Sequence, residues 1–126
     1  MTPPVPLTDR GAVDVSIEML FGAVALLLVL FLVFDATAYW HARNVFDDAA
    51  ADGARSAAAF DGSCADGIAA ARAAIDRHAG DWGSAVTVEC AAGPIVTVTV
   101  RGRSPGVLAG AAGMTVAVSQ SQPSER

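Results

Sequence analysis

The run from Met19 to Phe34 (MLFGAVALLLVLFLVF) holds sixteen consecutive apolar or glycine residues and restricts this chain more than any other feature. Extended back through Ile17 and Val15, it reaches the length of about 20 residues that an α-helix needs to cross a bilayer. Only Ser16 and Glu18 interrupt the extension. With 126 residues the chain is long enough for one domain and too short for two. The expected organisation is a cytoplasmic leader (1–13), a transmembrane helix (14–36) and an extracytoplasmic α+β domain (37–126). That is a single-pass plasma-membrane protein with its N-terminus inside and membrane lipid as its first partner.

The competing reading of an N-terminal apolar run is a cleaved secretory signal, and Ala36-Thr37-Ala38 resembles a small-x-small peptidase site. Against it stand a long apolar region, Arg10 as the only preceding basic residue, and helical patterning that continues past the site. Orientation is nearly balanced on charge, because Arg10 and Arg43 flank the run at similar distances. The two cysteines tip it. Cys64 and Cys90 both follow the run, and a lone pair in a small exported domain most often forms a disulfide; two separate buried thiols are the alternative. Closing a loop of about 26 residues contributes roughly 3 kcal/mol in the chain-entropy picture.

Glu18 is the anomaly, because an unpaired carboxylate at the mouth of a span costs several kcal/mol. It either rests among headgroups near the positive end of the helix dipole or pairs with a cation from another subunit. Around it, residues 1–12 (MTPPVPLTDRGA) carry three prolines and a glycine and are expected to form a short disordered leader.

After the run, Ala38, Ala42, Val45, Ala49, Gly53, Ala57 and Phe60 recur at three- and four-residue intervals, a narrow stripe suited to close packing. Asp47, Asp48, Asp52 and Arg55 fall away from it as a solvated face, with Asp52 and Arg55 spaced to pair. Tyr39 and Trp40 stand where an interfacial aromatic belt belongs. One helix of about 45 residues is therefore expected from the span onward. Asp61-Gly62-Ser63 breaks it, and Asp66 is read as the cap of a second helix ending at Gly80. From Ser84 the period becomes two: Val86, Val88 and Cys90, then Val96, Val98 and Val100, then Met114, Val116 and Val118. The Ala-Ala-Gly-Pro stretch at 91–94 suits a hairpin, a Gly-rich connection covers 104–113, and the tail SQSQPSER reads as polar. The fold class is α+β: a long N-terminal helix, a short second helix and a three-stranded antiparallel meander. Cys90 faces the apolar side, where a bridge to Cys64 would staple the sheet to the helices.

Several functions are disfavoured. All basic residues are arginines spread along a chain of formal charge -5, which argues against nucleic acid and against a polybasic lipid surface. His41 and His78 lack ligand-spaced partners, and the Asp47-Asp48-Asp52 group lacks the glycine and spacing of a calcium loop. Neither phosphate-loop motif nor a glycine-flanked nucleophile is present. No enzyme, cofactor or small-molecule substrate is expected.

The leader ending Asp9-Arg10-Gly11-Ala12-Val13, the opening Val15-Ser16-Ile17-Glu18, His41-Ala42-Arg43 and the block Ala49-Ala50-Ala51-Asp52-Gly53-Ala54-Arg55-Ser56-Ala57-Ala58 carry a resemblance. With a cysteine ending a Val/Thr strand and a terminal strand after a Gly-rich loop, the chain resembles TadE-like proteins of the tight-adherence (Flp) type IV pilus machinery, in their short actinobacterial form. The resemblance implies a pilin-like fold and a structural role as a pseudopilin or minor pilin in pilus assembly or secretion. Its partners would be other pilins or pseudopilins and an inner-membrane platform protein.

It further implies that Glu18, fifth after a prepilin-peptidase cut between Val13 and Asp14, pairs with the new N-terminal amine of a neighbouring subunit. Two opposite charges then leave water together. The chain departs from the family at Val13, where glycine is favoured, with Gly11 two residues early, and at Met19, where an aromatic is frequent. The processing residues are thus Gly11, Val13, Asp14 and Glu18, and the helix packing face is Ala42, Val45, Ala49, Gly53 and Ala57. A membrane-anchored binding or adhesion module unrelated to pili is the alternative.

Overall fold

The computed structural model describes residues 7–83, 85–106 and 113–125. The chain divides into two compact units, Met1–Val33 and Phe34–Arg126, and helix α1 (Leu7–Ala58) contributes to both. The disordered leader expected over residues 1–12 is corrected from Leu7 onward, where the backbone is already helical; residues 1–6 lie outside the described residues. Pro6 immediately precedes the helix, and Thr8 and Asp9 fall in its first turn, a favourable arrangement for a helix start. The single Gly11 costs only about 1 kcal/mol inside a helix and does not interrupt it.

In the second unit, α1 buries Ala42, Val45, Phe46, Ala49, Ala50, Ala54, Ala57 and Ala58, a broader face than the expected stripe. Phe60, placed on that stripe by spacing, lies past the helix end and is 78% exposed. The second helix, α2, spans Cys64–Ala79. Its cap is Ser63 rather than Asp66: the Ser63 hydroxyl accepts from the Asp66 backbone N–H, and the Asp66 carboxylate accepts from the Ser63 N–H. This reciprocal pair satisfies two otherwise orphaned donors at the first turn. Gly80, at φ 59, ends the helix as expected and leads into a 3-10 turn, Gly80–Gly83.

Small residues let the helices meet. A methyl group on Gly53 would lie 2.8 Å from the Gly67 carbonyl oxygen and 3.2 Å from both Ala71 Cβ and Val98 Cγ1. Gly53 therefore sits where α1, α2 and the sheet converge, and the close approach requires a residue without a Cβ.

Strands β1 (Thr87–Ala91), β2 (Ile95–Arg103) and β3 (Thr115–Pro123) form an antiparallel meander in the order β1-β2-β3. The architecture is the expected α+β. Val96, Val98 and Val100 point from β2 into the core, which also holds Phe46, Ile75 and Val86. On the other face, Thr97 and Thr99 pair through their hydroxyls with Ser121 and Ser119, each at 2.8 Å.

The polar tail is not a tail. β3 continues through Ser119–Pro123, in register with Ile95–Thr99 of β2. Gln120 donates from Nε2 to Asp47 Oδ1 at 2.6 Å, so Asp47 is tied to the sheet instead of lying on the solvated face. Beyond the strand, the Ser124 N–H donates to Pro94 O and the Glu125 N–H to Ala58 O, each at 2.9 Å. The second bond satisfies a carbonyl at the C-terminal end of α1 that has no partner within the helix.

Candidate functional site

Between Met19 and Phe34 the surface of α1 has no polar side. Val24, Leu26, Leu27, Leu28, Val29 and Leu30 are all at least 46% exposed, and at 100° per residue they point in every direction. A helix that is apolar all round belongs either in a core or in a membrane, and no core covers this one. It is the described helix long and apolar enough to cross a membrane, beginning at Val13. Exposed apolar surface of this extent marks contact with lipid or protein.

Glu18 is exposed, as are Val13 and Asp14; Gly11 is helical, and its surroundings lie outside the described residues. Glu18 lies eleven positions after the first residue of α1. A helix dipole acts over the first turn only, so it gives Glu18 no help there. The peptide bond between Val13 and Asp14 lies inside α1.

In the second unit, all five residues of the expected packing face, Ala42, Val45, Ala49, Gly53 and Ala57, are buried. The pattern did not single out Phe46, which is fully buried and packs its ring 5.8 Å from that of Trp82. A signal was available: Phe46 lies four residues from both Ala42 and Ala50, on the same helical face. Cys64, the first residue of α2, is joined to Cys90 of β1 across a Cα–Cα distance of 5.6 Å. The expected staple between helix and sheet is therefore present. Asp52 and Arg55 form the expected exposed ion pair.

A cleft of about 510 Å³ opens beside the disulfide, lined by Ala57, Cys64, Ala92, Gly93, Pro94, Val96 and Ser124. Its lining holds no carboxylate, imidazole, amine or free thiol. Among the described residues no group of His, Cys, Asp and Glu is placed to hold a metal ion.

Where α1 leaves the apolar run, aromatic side chains gather. Tyr39 packs against the core, with its ring edge-on to Trp40 at 6.4 Å, and Trp40 is 60% exposed. The Arg43 guanidinium lies 6.0 Å from the Trp40 ring centre. His41 lies 6.2 Å from Trp82, which stands on the 3-10 turn after α2.

Residues 15–55 match the family model described as TadE-like protein. The match takes in Glu18, the apolar run and the small-residue face as far as Arg55; α2 and the sheet lie outside it. No curated protein and no solved structure matches the chain.

Proposed function

We propose that this chain, TadE-like over residues 15–55, is a pseudopilin-like or minor-pilin component of a Tad (Flp) pilus assembly or secretion system. Its role is structural. The helix from residue 14 to 36 crosses the plasma membrane once, residues 1–13 stay in the cytoplasm, and residues 37–126 form the extracytoplasmic domain.

The observation that carries the reading is the Glu18 carboxylate, exposed inside the family match where the apolar run opens, one helical turn after Asp14. A charge in that setting is expensive, and a cation from a second subunit removes most of the cost. Cleavage between Val13 and Asp14 supplies such a cation as the amine of Asp14. Partners of this kind are other pilins or pseudopilins and a platform protein in the inner membrane.

Two measurements test the proposal. Intact-mass analysis of membrane-extracted protein should give a chain beginning at Asp14. A start at Met1 would leave an unprocessed anchored module, and a start at Tyr39 would identify the run as a cleaved signal. Glu18→Gln should weaken co-purification with pilus-machinery subunits by tenfold or more, the order expected for a buried charged partner left unpaired. Undiminished co-purification would reduce Glu18 to an interfacial residue.

A further inference from the structure

We propose that the end of the folded unit where α1 stops is a protein-docking surface for an apolar side chain flanked by lysine or arginine on a partner polypeptide. Phe60, Ile95 and the cleft beside the Cys64–Cys90 bridge form its apolar part, and Asp61, Asp66 and Glu125 form its rim. The inference concerns the second unit alone and stands whether or not the partner belongs to a pilus.

The last described residues tie this end together. The Glu125 N–H donates to Ala58 O, two residues before Phe60, and the Ser124 N–H donates to Pro94 O, next to Ile95, each at 2.9 Å. Ser124 and Glu125 thus join the turn that carries Phe60 to the start of the strand that carries Ile95. The cleft of about 510 Å³ opens at the same strap, because Ala57, Pro94 and Ser124 belong to its wall.

The fold leaves large apolar groups in water here. Phe60 is 78% exposed, more than any large side chain of the apolar run, and Ile95 is 61% exposed. Both forgo the free energy that burial of such side chains gives. Exposed apolar groups beside a concavity mark contact with another molecule, and a cleft of this size admits a whole side chain.

The charge of the rim selects the partner. Asp61 follows Phe60, Glu125 follows Ser124, and the Asp66 carboxylate accepts from the Ser63 N–H, one residue before Cys64; all three acids are exposed. Arg55, two residues before Ala57, is already held by Asp52. A second copy docking through the same surface would set carboxylates against carboxylates, which disfavours an isologous pair. Basic residues beside an apolar one match both parts of the surface. Their charge-assisted hydrogen bonds to the rim fix orientation while the apolar group fills the cleft.

Photocrosslinking of the full chain in the cells that encode it tests the proposal. Benzoylphenylalanine is the probe, introduced at Phe60 or Ile95, and at Thr99 on the polar sheet face as the control. Illumination should join Phe60 or Ile95, and not Thr99, to one partner protein. Peptide mapping should place the adduct on an apolar residue with lysine or arginine beside it. Asp61→Lys combined with Glu125→Lys should lower the yield on the order of tenfold, with disulfide formation verifying the fold. An adduct between two copies, a mapped segment without basic residues, an unchanged yield after charge reversal, or the same adduct from Thr99 would overturn the inference. So would the absence of any adduct from both Phe60 and Ile95. A partner of the stated chemistry that is not a pilus-machinery subunit would support this surface and count against the pilus reading.

Discussion

The two halves of α1 share one secondary structure and face different surroundings. From Met19 to Phe34 the side chains are apolar, most of them large, and exposed in all directions. From Ala42 to Ala58 the buried positions are mostly alanine, with Val45, Phe46 and Gly53 among them, and Asp48 and Arg55 stay outside. Bulky side chains on every side maximise contact with a solvent of hydrocarbon chains. Small ones on one side bring a second helix and a sheet to within backbone contact, as Gly53 does with Gly67. Helix propensity does not separate the halves, since Leu and Ala both favour helix strongly. Side-chain size and its angular distribution do.

The sharpest way to separate the halves is to remove the aromatic that anchors the packed one. Phe46→Ala should destabilise the folded unit by about 3–5 kcal/mol in denaturant titrations in detergent, with membrane retention unchanged. A loss of membrane retention in that variant would mean that the halves are not independent. Removing the staple comes next: Cys64→Ser with Cys90→Ser should cost about 2–4 kcal/mol, read in the same titration, with no effect on the span. Gly53→Ala tests the close approach itself. Alanine gains about 1 kcal/mol of helix propensity, but its methyl meets the backbone carbonyl of Gly67, and overpacking of this kind costs about 1–3 kcal/mol. A net loss of stability is expected, and a net gain would show that α1 and α2 can separate at no cost. The smallest effect is expected for Leu27→Ala in the other half, which should change the stability of the folded unit by less than about 0.5 kcal/mol.

How far these features were legible in the sequence follows from what holds each of them. The apolar run, the Gly80 stop, the hairpin after Ala91 and the Cys64–Cys90 bridge rest on local pattern or on cysteine count, and the structure has them all. The second half of β3 was invisible because Ser119–Pro123 contains no apolar alternation. It is held by hydroxyl pairs across the ladder and by Gln120 reaching Asp47, contacts between residues distant in sequence. Asp66 was misassigned by three residues because a capping box presents two plausible caps, and only geometry shows that Ser63 holds the cap position. The helical start at Leu7 was masked by the weight of three prolines and a glycine, although the last proline lies before the helix and Gly11 alone is too weak a breaker. The buried small-residue face of α1 was readable from spacing. Trp82 was not, because only the turn after α2 brings it to His41.

The central claim is that the first half of α1 is a lipid-facing span while the second half packs within a folded unit. Alkaline extraction of membranes carrying the full chain tests it most directly, with Leu27→Arg combined with Leu28→Arg as the comparison. The account predicts that the wild type stays in the membrane pellet, whereas the double variant moves to the supernatant with its disulfide intact. Release of the wild type at alkaline pH, or retention of the double variant, would contradict it.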